Sequence, residues 1–142
     1  MPKISVIIPV YNLQDYIERA ITSVTSQSFK DVEIIVVNDG STDNTSQIVD
    51  ELAEKDDRIK HIIKENEGPG AARNMGFESS NGEWVWFLDG DDYMLSDAIE
   101  KMYSAANDCD MVVCNTQREY STHKEGPLFK LPTYDNVNDV DR

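Results

Sequence analysis

Two stretches of almost unbroken Val and Ile, "ISVIIPV" at 4–10 and "VEIIVVN" at 32–38, restrict the fold more than any other feature of the chain. A strand wetted on one face alternates apolar and polar residues, whereas one covered on both faces reads as a continuous apolar run. These two therefore belong inside a parallel or mostly parallel sheet. "IKHIIK" (59–64), "EWVWFLD" (83–89) and "DMVVCN" (110–115) read as three further strands. The segments between them carry the helical period. Ile17, Ala20, Ile21 and Val24 recur at i, i+3, i+4 and i+7, and Ile48, Val49, Leu52 and Ala53 make a second stripe behind a Ser41-Thr42-Asp43 start signal. A third helix is expected over about 69–80, closed by the "SSNG" turn, and a fourth over about 96–107. The order β-α-β-α-β-α-β-α-β specifies an α/β fold, an open, mostly parallel sheet with helices on both faces.

A chain of 142 residues is long enough for one domain with its own core, or for part of a larger one. The apolar pattern fades after Asn115, so the reading is one domain over 1–115 followed by a loop and tail over 116–142. Asp and Glu outnumber Lys and Arg 27 to 13, a net charge of −14 without any basic stripe, which repels a phosphate backbone and argues against nucleic acid as a partner. The apolar start is too short for a signal peptide, and no run approaches the roughly 20 residues of a membrane span, so the chain reads as cytoplasmic. Cys109 and Cys114 have no second pair and no nearby His, which favours small buried apolar residues over a zinc site.

In an open parallel sheet, ligands settle in the crevice at the carboxyl ends of the strands. Pro9-Val10-Tyr11-Asn12, Asn38-Asp39-Gly40 and Asp89-Gly90-Asp91-Asp92 all fall there, on three separate loops. Three aspartates crowded at the end of an apolar strand repel one another unless a cation sits among them. Asp89 and Asp91, separated by Gly90, can turn toward one hard divalent cation, Mn²⁺ or Mg²⁺, which prefers oxygen ligands. Such a cation would also let an acidic protein hold an anionic diphosphate.

The segments "ISVIIPVYN", "VEIIVVNDGSTDNT" and "NEGPGAARNMGFESSNGEWVWFLDGDD" together resemble the nucleotide-sugar-binding half of the family 2 glycosyltransferases, with the motifs in order over about residues 3–115. The resemblance implies a Rossmann-like, A-type glycosyltransferase domain and an inverting, metal-dependent transfer of sugar from a nucleotide-diphospho-sugar to a saccharide or similar acceptor. It implies that Pro9, Val10 and Tyr11, with Asn12 beside them, wall the base, usually uracil, and that Asp39 accepts the N–H of that base. Asp89 and Gly90 would lie by the ribose and metal, Asp91 would ligate the metal, and Arg73 would meet the base or the phosphates. Asn38 departs from the aspartate commoner at its place. Family members are longer, and their acceptor-side half carries the general base, which is expected beyond Arg142. Glu119, Glu125, Asp135, Asp139 and Asp141 sit in a tail without the apolar pattern that would hold such a base. A full-length enzyme would work on a growing surface polysaccharide at the inner face of the cell membrane, with membrane-associated partners.

Plainer readings stand beside these. Asp39 can be read as a turn residue, Asp89 and Asp91 as a solvated turn, Asp92 as a cap, Tyr11 as core filler and Arg73 as a solvated charge or an ion-pair partner. His61 and His123 read as structural or exposed, and Trp84 and Trp86 as core. Two rival functions remain: a donor-binding module without catalysis, and a phosphatase with an aspartyl nucleophile, whose motif wants Thr or Val where this chain has Tyr93.

Overall fold

A computed structural model of the chain describes residues 1–119 and 124–127; His123, Asp135, Asp139 and Asp141 lie outside the described residues. The chain forms two compact units, residues 1–99 and 100–142. The first contains β1 (Ile4–Val10), α1 (Ile17–Thr25), β2 (Val32–Asn38), α2 (Thr45–Ala53), β3 (Ile59–Ile63), α3 (Pro69–Glu78) and β4 (Trp84–Phe87). A further helix, α4 (Ala98–Ala105), follows. The strands lie in the order β3-β2-β1-β4, and every pairing is parallel. β1 and β2 occupy the middle of the sheet, which is why their sequences show no alternation: every residue of β1 is buried, as is every residue of β2 except the half-buried Glu33.

Successive side chains of a strand point to opposite faces. On one face Ile7, Ile35 and Val37 pack with Ala72 of α3 to form a buried cluster, with Ile62, Met75 and Val85 half-buried around it. This close approach depends on Gly76, because a Cβ there would stand 2.3 Å from Ile7 Cγ2. The apolar stripe of α1 is buried as its spacing predicts. Just after α1, the fully buried Gln27 ties three segments together: its amide donates to the Ser23 and Leu95 carbonyls at 2.9 and 2.6 Å and its oxygen accepts the Ile99 N–H at 3.1 Å.

Three sequence readings change. β4 is shorter than 83–89, and Trp84 and Trp86 are half-buried with Phe87 exposed, because β4 stands at an edge of the sheet, where one flank lacks cover among the described residues. Residues 110–115 form no strand; Met111 and Val113 are exposed, Cys114 is exposed and Cys109 is only half-buried. Three apolar residues in a row do not make a strand without a neighbour to pair with. In the second unit, Gln117–Glu119 (β5) and Lys124–Pro127 (β6) pair antiparallel, within a segment whose composition reads as loop.

Candidate functional site

The carboxyl ends of β1 and β2, the start of α3 and the loop after β4 enclose one cavity of about 440 Å³. Pro9, Val10, Tyr11 and Leu13 line it from the first loop, Asp39 from the second, and Asp89, Gly90 and Asp91 from the fourth. Asn66, Gly68, Pro69, Ala72 and Arg73 complete the wall. The volume lies in the range of small-molecule sites. Of the residues that the resemblance assigns to the site, Asn12 alone stands off the lining, and it has a different task.

Asn12 adopts a left-handed backbone, φ 52°, which Asn tolerates better than other non-glycine residues. Its N–H donates to Ser41 Oγ at 2.9 Å, and its Oδ1 accepts the Thr42 N–H at 2.8 Å. The next two residues continue the pattern: Leu13 N–H donates to Thr45 Oγ1, Gln14 N–H to Asp43 Oδ2, and Asn44 N–H to Gln14 Oε1. Five reciprocal hydrogen bonds thus lock the first loop to the second. Asp43 also starts α2, accepting the Thr45 N–H at 3.0 Å. Burial opposes its charge, but the Thr45 and Gln14 donors prevail and hold its carboxyl below the ordinary range. Asn38, buried, accepts the Ser41 N–H through its side chain, so the departure from aspartate at that position serves the loop itself.

Asp39 is 3% exposed, and its carboxylate is held on three sides. Lys64 Nζ donates to Oδ1 at 2.8 Å, Glu67 N–H to Oδ1 at 3.0 Å, and Gly68 N–H to Oδ2 at 2.7 Å. Burial alone would raise this carboxyl; the donors outweigh it and keep Asp39 below the ordinary carboxylate range. Its turn is built from glycine for two reasons. Gly40 has φ +74°, and a Cβ there would also press on Asn66 N at 3.0 Å, while Gly68 has φ +94°. Asp39 therefore does more than terminate a turn: it organises residues 64–68 into part of the cavity wall.

The fourth loop is built differently. Asp92 N–H closes a turn on the Asp89 carbonyl at 2.9 Å, and Asp89, Asp91 and Asp92 are all exposed. Gly90 is required by space rather than by its backbone angle, since a Cβ would sit 2.8 Å from both Leu13 Cδ1 and Val10 Cγ1. Partial desolvation, then the charges of Asp91 and Asp89, raise the Asp92 carboxyl. One cation does stand in this cluster: Arg73 Nη2 meets Asp89 Oδ1 at 2.5 Å. Next to the turn, the Arg19 guanidinium stacks on the Tyr93 ring, 3.6 Å from its centroid. Among the described residues no three His, Cys, Asp or Glu side chains converge as a ready metal site. Asp89 and Asp91 are the oxygens that a hard cation would use here, and the rest of its shell would have to come from water and a ligand's phosphates, which is the usual manner of Mg²⁺.

Lys64 has no sequence signature of its own, and Glu67 and Gly68 fall in a quoted segment without being singled out. Their importance arises from a fold that brings positions 25 to 29 residues from Asp39 onto its carboxylate.

A parallel sheet whose strand-end loops gather a buried aspartate, an arginine and an acidic turn around one crevice has the A-type glycosyltransferase fold. The chain belongs to a single family within that class: residues 5–138 match the family described as glycosyl transferase family 2. The glycosyltransferase GlyA of Streptococcus pneumoniae serotype 4 is 38% identical over 96% of this chain and 21% of its own length. The GalNAc(5)-diNAcBac-PP-undecaprenol beta-1,3-glucosyltransferase of Campylobacter jejuni is 46% identical over 76% of this chain and 36% of its own length. This chain thus spans well under half of each. Among solved structures, Staphylococcus aureus TarS 1–349 in complex with UDP-GlcNAc matches 74% of this chain, covering 31% of TarS 1–349, at TM-score 0.69 and 36% identity. The Pyrobaculum calidifontis mannosyltransferase PcManGT, in complex with GDP-Man and Mn²⁺, matches 75% of this chain and 33% of its own at TM-score 0.71 and 26% identity.

Proposed function

We propose that this chain seats the nucleoside diphosphate of a UDP-sugar, and that the protein it represents transfers that sugar to a saccharide or similar acceptor with inversion. The observation that carries the reading is the convergence of Tyr11, Asp39, Arg73, Asp89 and Asp91 on one cavity. Pro9, Val10 and Tyr11 offer an apolar wall for a base, and Asp39 offers an acceptor for its N–H. Arg73 stands where its fork could reach phosphate or base. Asp91, with Asp89, would hold Mn²⁺ or Mg²⁺, and the cation would supply charge neutralisation for the diphosphate. TarS, with UDP-GlcNAc, supports uracil as the base, and PcManGT supports a divalent metal. A relative named for a PP-undecaprenol-linked saccharide supports a lipid-linked saccharide as the acceptor.

Calorimetric titration with UDP, GDP, dTDP and CDP, in Mn²⁺ and again in EDTA, tests the reading. UDP should bind in Mn²⁺ and lose most of its affinity in EDTA. Equal affinity in EDTA removes the metal from the proposal, and no binding of any nucleoside diphosphate removes the proposal.

A further inference from the structure

A carboxylate offers about four lone-pair positions, two on each oxygen. Three of those on Asp39 are occupied within the protein: Oδ1 receives Lys64 Nζ and Glu67 N–H, and Oδ2 receives only Gly68 N–H. The remaining acceptor position is therefore on Oδ2, and Asp39 lines the cavity. Lys64 is as fully committed. Its three N–H groups go to Asp39 Oδ1 at 2.8 Å, the Glu65 carbonyl at 2.5 Å and Glu67 Oε2 at 2.7 Å, and its side chain is 6% exposed. A lysine beside a site for a diphosphate invites the role of phosphate ligand, but this one has no donor left to give.

We propose that Lys64 is the positioning residue for nucleobase selection: by filling one oxygen of Asp39 it fixes the carboxylate as a pure acceptor with one open position, on Oδ2, which admits a base edge carrying a ring N–H and rejects one carrying a bare ring nitrogen. Uracil, thymine and guanine present the N–H; cytosine and adenine present the bare nitrogen. The inference rests on the nucleotide-binding reading and adds to it the residue that sets its selectivity.

The physical argument is a comparison of two protonation states. With Lys64 present, the buried carboxylate has an opposite charge at 2.8 Å and stays ionised. Without it, the same carboxylate keeps two backbone donors but loses the one cation paired with it among the described residues. Glu67, which pairs with Lys64, remains nearby, and the groups across the cavity do not replace the lost charge, because Arg73 is paired with Asp89 and Asp91 is anionic. Burial then favours the neutral acid, whose hydroxyl donates and so accepts cytosine. Selectivity becomes dependent on pH.

The test is calorimetry of UDP and CDP in Mn²⁺ between pH 8 and 5.5, on the intact chain and on Lys64→Met, Lys64→Arg and Asp39→Asn. The intact chain and Lys64→Arg should prefer UDP at a ratio that does not change with pH. In Lys64→Met the ratio should fall by about tenfold, the scale of one modest hydrogen bond, and fall further toward pH 5.5. A folded Lys64→Met with the unaltered ratio and a flat pH profile overturns the role of Lys64 and leaves nucleotide binding intact, whereas an intact chain that binds no UDP overturns the underlying reading. Should Lys64→Met fail to fold by circular dichroism, Asp39→Asn decides. Two donors at the Oδ1 position, Lys64 and the Glu67 N–H, outweigh the single Gly68 N–H at Oδ2 and hold the amide oxygen at Oδ1, which forfeits the Gly68 bond, turns the NH₂ toward the base and reverses the preference to CDP; a retained UDP preference overturns the proposal.

Discussion

The two ends of the cavity are built on opposite plans. At the end formed by the first two loops, five polar side chains fix the loops within the protein: Asn12, Gln14, Asn38, Asp39 and Asp43 each bind backbone N–H groups of another segment or turn. At the other end Asp89, Asp91 and Asp92 are exposed, mutually repulsive and relieved at one point by Arg73. The first end has its geometry before a ligand arrives, so binding there costs little ordering. The second is electrostatically incomplete and matches a ligand that brings phosphate and metal together. Polar substitutions at the first end should therefore cost stability, whether or not they also weaken a ligand, and those at the second should not.

The largest effect is expected from Asn12→Val. A β-branched residue is strained at φ 52°, and the acceptor for Thr42 N–H is lost. Strain and hydrogen bond together should cost about 2–4 kcal/mol of stability, read from the urea midpoint. A loss under about 0.5 kcal/mol, the usual scale of a surface change, would mean that the two loops are not locked. Next comes Asp39→Ala, which should weaken UDP by about 1.5–3 kcal/mol, the worth of a hydrogen bond to a charged group, and weaken CDP less. An equal loss for both nucleotides would place Asp39 in the wall without a role in reading the base.

Much of the first unit is legible in the sequence. β1 and β2 are predicted at 4–10 and 32–38 and found at Ile4–Val10 and Val32–Asn38, because a doubly buried strand leaves a long apolar run whatever its neighbours. "MVV" at 111–113 shows the limit of the same signal. It has the composition of a strand, yet Met111 and Val113 are exposed, since composition cannot supply a pairing partner. At the cavity, Pro9, Val10, Tyr11, Asp39 and the Asp89–Asp91 turn are legible from their positions at strand ends, Arg73 through the family resemblance alone, and the structure brings them together. Lys64 was not: one lysine in an acidic chain has no local mark, and its three contacts exist only once residues 64–68 fold over Asp39.

Acid sharpens the contrast between the two ends. Asp39 and Asp43 are both held below the ordinary carboxylate range, so the unfolded chain takes up their protons first as the pH falls. The stability they contribute is complete above the unfolded value of about 3.9 and is lost as the pH drops from there through the folded values. Urea midpoints measured from pH 7 to 2 should therefore hold steady above about pH 5 and fall below it, and Asp43→Asn should flatten the fall. An unaltered slope in that variant would remove Asp43 from the acid-sensitive set.

The smallest effect separates the ends most cleanly. Asp92 lies next to Asp91 and near Asp89, and their like charges act against its ionised form. Asp92→Asn removes that repulsion without disturbing the turn, whose hydrogen bond uses the Asp92 backbone N–H and the Asp89 carbonyl. A gain of a few tenths of a kcal/mol is expected at pH 7 and low salt, shrinking toward zero at about 1 M salt, where the screening length is near 3 Å. The sign is the informative part, since polar substitutions at the first end should all destabilise. A loss of stability on Asp92→Asn, persisting at high salt, would mean that the side chain makes a specific contact, and that the acidic loop is as firmly tied within the protein as the wall opposite it.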